Sequence, residues 1–155
     1  MIEAIFIKTP NGLYPSTETD KELLKEFKLG QGVRIKLTKV RDRELWYHRK
    51  YFSLLNYAFD CWEPETLTAA GLPVEKNFER FRKDIVIAAG YYKLVTNIVG
   101  EAKAEADSIA FHNMDQATFE NLYDATINVV IKYVLKNYSK GDINDVVNEL
   151  MGYAN

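Results

Sequence analysis

The strongest constraint on the fold of this chain comes from two long segments, residues 42–62 and 115–138, in which large side chains recur every three or four positions. Such spacing places these side chains on one face of an α-helix, and a helix with one apolar face buries that face against another element. We therefore predict two long helices at the centre of the molecule. The predicted core stripes are Leu45, His48, Phe52, Leu55, Phe59 and Trp62 in the first helix and Phe119, Leu122, Tyr123, Thr126, Val130, Tyr133 and Val134 in the second.

Capping and stop residues fix the predicted ends of these two helices. Asp42 and Asp115 stand at the N-terminal ends, where an aspartate side chain commonly accepts a hydrogen bond from a first-turn amide. Pro64 follows the first segment and Gly141 follows the second, and both residue types stop helices. The first helix is thus predicted to end at about Trp62 and the second at about Tyr138.

Shorter patterns predict the remaining elements, because alternation of apolar and polar residues indicates a strand and a spacing of three and four indicates a helix. The strand at 33–40 is expected to be half-buried, with Arg34 and Lys36 on its outer face, and 101–107 is expected to form a hairpin tip. The predicted class is α+β, with a small β-α-β start and two further strands packed against a bundle of long helices. A single globular domain over residues 1-155 is expected from the length. The predicted strands are 2–8, 33–40, 91–100 and 108–111, and the predicted shorter helices are 20–28, 75–88 and one that begins at Asp142.

The charge of the chain is distributed unevenly, although the formal net charge is only −2. Residues 21–50 contain ten Lys or Arg and four Asp or Glu, which is a local charge of +6, and the rest of the chain carries −8. A segregated field of this kind attracts a polyanion to one face of a protein. The alternative is an uneven surface that only keeps the protein in solution.

The basic residues of this region are interleaved with aromatic ones at the start of the first long helix. On a helical wheel Arg43, Tyr47 and Lys50 fall together, away from the core stripe. Cations that bind phosphates and flat rings that stack on bases are what a nucleic-acid groove requires. The alternative is that the rings pack in the core and the cations are solvated. The candidate nucleic-acid-binding residues are Lys36, Lys39, Arg41, Arg43, Trp46, Tyr47, Arg49 and Lys50.

The sequence predicts no catalytic residue and no metal ligand. His48 lies on the core stripe and is expected to be a buried, hydrogen-bonded side chain, and His112 has no partner at metal-ligand spacing. Asp84 followed by the Glu-Ala-Lys of residues 101–103 has the order of a metal-dependent nuclease pattern, but Asp84 lies in a predicted helix. We therefore expect a protein that is not an enzyme and that needs no cofactor.

Cysteine use and hydropathy favour a cytoplasmic protein. Cys61 is the only cysteine, so the chain cannot form an internal disulfide. Its first residues are too acidic for a signal peptide, and no apolar run approaches the roughly 18–20 residues that span a bilayer. We expect no membrane partner.

Two blocks of the sequence are distinctive. The first has His-Arg-Lys-Tyr-Phe-Ser-Leu-Leu-Asn at residues 48–56 and Trp-Glu-Pro at 62–64, after Arg41, and the second has Ser-Ile-Ala-Phe-His-Asn-Met-Asp at residues 108–115. In both blocks the chain resembles uncharacterised phage and prophage proteins grouped as a domain of unknown function. Many of those proteins carry an insertion after Trp-Glu-Pro that this chain lacks. The resemblance implies a phage origin.

A shorter likeness concerns the basic segment itself, which has the form Arg-x-Arg-x-Leu-x-x-x-Arg-Lys with an aromatic residue two positions later. In this segment, and in its predicted β-α-β start, the chain resembles NinB, the Orf-type recombination mediators of lambdoid phages. The resemblance implies binding of single-stranded DNA, often as a dimer, and cooperation with a single-strand-binding protein. The residues that carry it are Arg41, Arg43, Leu45, Arg49, Lys50 and Phe52.

The sequence thus predicts a small phage-encoded protein that binds nucleic acid, with single-stranded DNA favoured, in phage recombination or replication. The alternative is a phage-encoded inhibitor or adaptor that binds a host protein, such as an anti-defence factor whose acidic remainder mimics nucleic acid. The expected protein partner is a host single-strand-binding protein or another host protein, in the host cytoplasm. Exposed aromatic residues are also compatible with a homodimer.

Overall fold

The computed structural model describes residues 2–153 and confirms the α+β class. Two small antiparallel hairpins are combined with helices, which contain most of the buried apolar side chains. In chain order the elements are β1 (Phe6–Thr9), β2 (Gly12–Pro15), α1 (Glu18–Leu24), α2 (Asp42–Cys61), α3 (Phe78–Ala88), β3 (Tyr92–Thr96), β4 (Ala102–Ala106), a 3-10 turn (Phe111–Asn113), α4 (Gln116–Tyr133) and α5 (Lys140–Tyr153).

The core lies between α2, α3, α4 and α5, and α2 contacts the other three of these helices. Within the core, Thr126 is fully buried and donates its hydroxyl to the carbonyl of Leu122 at 2.8 Å, which explains how a polar residue fits the stripe of α4. The core stripe predicted for α4 is confirmed from Phe119 to Val130, while Tyr133 is exposed. The fully buried apolar residues include Leu54 and Leu55 of α2, Val86 of α3, Leu122 and Val130 of α4, and Ile143 and Val147 of α5.

The buried face of α2 is rotated relative to the prediction. Its buried residues are Tyr47, Tyr51, Leu54, Leu55 and Ala58, whereas His48, Phe52, Phe59 and Trp62 lie half-buried at the edge of the core. The prediction chose the wrong centre because aromatic residues surround this helix on several sides, and periodicity alone then leaves the centre of the buried face ambiguous. Tyr47, which the wheel placed on the solvent side, belongs to the core.

The start of the chain is β-β-α and not the predicted β-α-β. The turn at Pro10-Asn11 returns the chain as β2, which pairs with β1 in the register Phe6 with Pro15 to Thr9 with Gly12. The predicted strand at 33–40 does not form, since residues 31–41 are coil, exposed at every position but the half-buried Val40, and Ile35 is 70% exposed. Alternation describes the faces of a strand, but a strand also requires a neighbour for its backbone, and in the described part of the chain this segment has none.

The second hairpin is shifted toward the N-terminus relative to the prediction. Residues 101–107, predicted as its tip, contain β4, and 108–111, predicted as a strand, lead into the 3-10 turn. The tip is instead formed by residues 97–100, where the side chain of Asn97 accepts hydrogen bonds from the amides of Val99 and Glu101. Turn chemistry therefore set the register of this hairpin, and the low apolar content of β4 concealed it.

Some helix ends agree with the predictions and several do not. The structure has α1 at Glu18–Leu24, where 20–28 was predicted, and α3 begins at Phe78, where 75 was predicted. Asp115 caps α4 through the amide of Thr118, as predicted, but α4 ends at Tyr133 and not at Tyr138. Gly141 lies in the first turn of α5, which Ser139 and Asp142 cap reciprocally. Asp42 is the first residue of α2, and the N-cap residue is Arg41, whose side chain makes no capping hydrogen bond. No helix in the described range 2–153 has the length and apolar character required to cross a membrane.

Candidate nucleic-acid interface

An open groove of about 460 Å3 lies between the first half of α2 and the helices α4 and α5. Arg43, Trp46 and Lys50 line it from α2, because spacings of three and four place them on one side of that helix. Gln116, Glu120, Tyr123 and Asp124 line it from α4, and Asn144 lines it from α5. We call this feature the α2–α4 groove.

The two aromatic candidates of α2 have different environments. Tyr47 is 2% exposed and its ring is stacked on Phe119, with 4.1 Å between the centroids and 10° between the planes. A ring that stacks on a base must have at least one face open to solvent. Tyr47 has no such face, so it packs beneath the groove and does not bind a base. Trp46 packs edge-on against both of these rings and remains 47% exposed, which leaves it as the accessible ring of the groove.

Lys50 lies in the groove in contact with two aromatic rings and near two carboxylates. Its ammonium nitrogen lies 4.8 Å from the ring centroid of Trp46 and 4.6 Å from that of Tyr123, which is cation–π distance. Burial lowers the pKa of Lys50, and the negative charges of Glu120 and Asp124 oppose that effect. The charge of Lys50 is therefore balanced in part by its surroundings.

The arginines at the start of α2 are more accessible. Arg41 and Arg43 are both exposed, and neither makes an ion pair within 4 Å among the described residues. Hydrogen bonds from Thr118 lower the pKa of Asp115, and the nearby charge of Arg43 adds to this effect. Because the N-cap side chain makes no hydrogen bond to the first turn, an anion at this end of α2 would meet backbone donors beside two guanidinium groups.

The remaining candidates do not line the groove. Lys36 and Lys39 lie in the exposed coil of residues 31–41, which leads directly into α2. Arg49 is half-buried and lines a different cavity of about 270 Å3 that includes Ser16 and Asp60. The predicted cationic surface is thus divided, with one part at the groove, one part before it in the chain and one part elsewhere on α2.

Sequence reasoning missed the α4 side of the groove. Gln116, Glu120 and Asp124 are four residues apart, so they form a polar stripe along α4, and the amide of Gln116 donates to Glu120 at 2.9 Å. This spacing is readable in the sequence. The position of the stripe opposite Arg43 and Lys50 depends on how α4 packs on α2, which the spacing does not specify.

The sequence predicted a buried, hydrogen-bonded His48. The structure confirms the hydrogen bond, while the residue is half-buried. Its Nε2 lies 3.2 Å from the carboxylate of Asp20, which is 1% exposed and also accepts hydrogen bonds from the amide of Ile5 and from the amide and hydroxyl of Thr17. Burial would raise the pKa of Asp20, but the hydrogen bond and charge of His48 and the bonds from Ile5 and Thr17 together lower it. This cluster connects α1 and the residue just before β1 to α2. Among the described residues, no three His, Cys, Asp or Glu side chains are grouped so that they could hold a metal ion.

The family of the chain follows from a comparison with family models. The model described as a protein of unknown function, DUF1367, matches residues 1–71 and residues 68–153. The chain belongs to the DUF1367 family. This match confirms the predicted relationship to an uncharacterised family, and its two segments meet in the coil between α2 and α3, the region where the resemblance noted above places a missing insertion. No curated protein and no solved structure matches the chain.

The α2–α4 groove draws on both matched segments. Arg43, Trp46 and Lys50 come from the first, and the residues of α4 and α5 come from the second. The groove is therefore built from parts of the chain that the DUF1367 model describes.

Proposed function

We propose that this protein binds single-stranded nucleic acid, with DNA as the favoured form, at the α2–α4 groove and at the start of α2, and that it catalyses no reaction. The observation that carries the proposal is the grouping of Arg43, Lys50 and the exposed ring of Trp46 in one groove. Arg41, which is also exposed, is the N-cap residue of the same helix. Cations beside an accessible ring are the pair of features that single-strand binding requires.

The role proposed for each residue follows from the exposure of its side chain. Arg41 and Arg43 bind phosphate oxygens together with the first amides of α2, because guanidinium groups and helix N-termini both favour anions. Trp46 stacks on a base, an interaction worth roughly 1–3 kcal/mol. Lys36 and Lys39 extend the attraction along the coil that precedes α2.

A single strand suits the groove better than a duplex. Stacking on Trp46 needs a base whose flat face is free, and in a duplex the base faces are covered by their neighbours. Glu120 and Asp124 at the same groove would also repel a second phosphate backbone.

The proposed biological setting rests on the resemblances of the sequence. The protein is proposed to be phage-encoded, to act in recombination or replication in the host cytoplasm, and to cooperate with a host single-strand-binding protein. The likeness of the basic segment to NinB supports this setting and supports a homodimer. A light-scattering mass tests the homodimer directly.

Fluorescence anisotropy with a labelled single-stranded oligonucleotide tests the proposal. We expect binding at low salt, with log Kd rising against log salt by about 0.7 for each phosphate neutralised. The double variant Arg41→Ala, Arg43→Ala removes one charge from the groove and one from the start of α2, so its salt slope is expected to fall by about 1.4. The matched control is Arg80→Ala, Lys83→Ala, which removes the same charge from the exposed surface of α3.

Two outcomes would overturn the proposal. One is the absence of binding at low salt, and the other is an equal loss of affinity in the groove variant and the α3 control. The second outcome would show that only net charge matters and that the groove has no specific role.

A second candidate function is binding of a host protein, as an inhibitor or adaptor. It is favoured by the exposed apolar residues of the coil before α2, Val33, Ile35 and Leu37, which are 49%, 70% and 73% exposed. A pull-down from host lysate with wild-type protein and with the double variant Ile35→Ser, Leu37→Ser tests it. Recovery of one host protein that resists nuclease and is lost in the variant would support this function, and recovery that nuclease abolishes would support nucleic-acid binding.

A further inference from the structure

The α2–α4 groove contains carboxylates opposite its cations. Glu120 and Asp124 on α4 lie in the same groove as Arg43 and Lys50 on α2. A channel that only follows a phosphate backbone would be lined by cations and rings. Glu120 already accepts from Gln116, and both carboxylates lie near Lys50, but each keeps lone pairs that can accept hydrogen bonds from a ligand that brings its own N–H groups into the groove.

A second feature of the groove also indicates a missing hydrogen-bond partner. Tyr123 lines the groove and is 4% exposed, yet its hydroxyl is buried without a hydrogen-bond partner among residues 2–153. Buried polar side-chain groups in folded proteins are satisfied in the large majority of cases, and an exception calls for an explanation. A ligand that enters the groove and displaces the side chains that cover this hydroxyl would supply the partner.

The remaining polar groups of the groove are two amides. Gln116 lies one turn before Glu120 on α4, and Asn144 lies on α5. An amide side chain offers both a donor and an acceptor, so it adapts to a ring that presents both. The groove as a whole thus offers a stacking ring, acceptors, an unpartnered hydroxyl and a cation at its edge.

We propose that the α2–α4 groove binds one nucleobase that carries an exocyclic amino group, and therefore prefers cytosine to thymine, with Trp46 stacked on the base and Glu120 or Asp124 accepting from its amino group. This inference rests on the proposed function, since it names the base that the same groove recognises. Arg43 lies at the same groove and binds the phosphate of that nucleotide.

The preference follows from hydrogen-bond chemistry at one position of the pyrimidine ring. Cytosine presents an amino group at N4, and thymine presents a carbonyl oxygen at O4 in the same place. A carboxylate accepts from the amino group and is repelled by the carbonyl. Stacking on Trp46 tolerates either base, so the carboxylates supply the discrimination.

The test compares labelled oligo-dC with oligo-dT, each about 12 nucleotides long, by fluorescence anisotropy with the full chain. The measured quantity is the ratio of the two dissociation constants, because changes in net charge affect both oligonucleotides equally. We expect oligo-dC to bind about tenfold more tightly than oligo-dT in the wild-type protein. In the variant Glu120→Gln, Asp124→Asn the ratio is expected to fall below about 2, since an amide can turn to donate to thymine O4.

Tyr123→Phe provides an independent test of the buried hydroxyl. If the hydroxyl binds the base, we expect this variant to bind oligo-dC about fivefold more weakly with unchanged thermal stability. If the hydroxyl has no ligand, the variant binds both oligonucleotides as the wild type does, which counts against its place in the proposal. Circular dichroism melting of all variants separates a loss of binding from a loss of folding.

The outcomes distinguish this inference from the function on which it rests. Equal binding of oligo-dC and oligo-dT, or a ratio that survives in the Glu120→Gln, Asp124→Asn variant, would overturn base recognition and leave single-strand binding intact. Failure of both oligonucleotides to bind at low salt would overturn both proposals.

Discussion

Residues 2–41 and residues 42–153 use apolar side chains in opposite ways. In α2, Leu54 and Leu55 have no exposed surface, whereas in the coil before it Ile35 and Leu37 are 70% and 73% exposed. The one side chain of residues 2–41 that is buried is Asp20, a carboxylate. The comparison shows that the helices are held together by an apolar core, while the N-terminal part is attached to them by a polar cluster around Asp20 and His48.

The largest difference between the two regions should appear on truncating a core leucine. Leu55→Ala removes a fully buried side chain, so we expect the free energy of unfolding to fall by about 2–5 kcal/mol. Urea denaturation followed by circular dichroism measures it. A loss under about 1 kcal/mol would contradict the assignment of Leu55 to the core.

Although most side chains of residues 2–41 are exposed, a substitution at the cluster that attaches this part to the helices should destabilise the protein. Asp20→Asn keeps the shape of the side chain but removes the charge that faces His48 and one acceptor of the cluster. We expect the free energy of unfolding to fall by about 1–3 kcal/mol, because the amide group also leaves a donor facing donors. Thr19→Ala provides the comparison and should cost less, since it removes only the 3.3 Å hydrogen bond that the Thr19 hydroxyl donates to Asn56 of α2.

The same cluster should give the protein a characteristic acid sensitivity. The pKa of Asp20 is lowered from 3.8 in the folded state, so its contribution to stability is complete above that value and is lost as the pH falls through the folded pKa. Urea unfolding at a series of pH values from about 5 to about 3 should show a steeper loss in the wild type than in Asp20→Asn. Parallel curves for the two proteins would contradict this role.

The comparison of Trp46 with Tyr47 separates binding from stability within a single turn of α2. Trp46→Ala should weaken oligonucleotide binding about tenfold, with a smaller effect on folding because the ring is 47% exposed. Tyr47→Ala should destabilise the fold by about 3 kcal/mol, because it leaves a cavity against Phe119. If Trp46→Ala changed stability and left binding unchanged, the ring would have a packing role.

The smallest effect on stability is expected in the coil before α2. The double variant Ile35→Ser, Leu37→Ser changes two exposed side chains, so the free energy of unfolding should stay within about 0.5 kcal/mol of the wild type. A loss of several kcal/mol would show that this segment is buried against a partner, such as a second copy of the chain. Dilution would then reduce the difference between the two proteins, because it dissociates the wild-type dimer.

The elements that were predictable from the sequence are those whose signal is local. The extent of α2, the Asp115 cap of α4 and the core stripe from Phe119 to Val130 follow from spacing and side-chain chemistry within each segment. The strand predicted at 33–40 failed for a different reason. Its alternation is genuine, but pairing requires a second strand that the pattern does not name.

The α2 side of the candidate site was predictable from the sequence, and its α4 side was not. Spacing on α2 was enough to place Arg43 and Lys50 on one side of the helix, and the exposed Trp46 was among the candidates. Spacing did not show that Tyr47 turns toward Phe119, because an aromatic ring is equally suited to the core and to a binding surface. The opposite wall, with Glu120 and Asp124, was missed altogether.

The sequence by itself determined where the long helices lie in the chain, because the backbone hydrogen bonds of a helix join residues only a few positions apart. The centre of the buried face of α2 was decided by packing. Only the tertiary structure decided which charges meet. The packing of α4 against α2 brings Asp124 to Lys50 across 74 positions of sequence, and no local pattern encodes a distance of that kind.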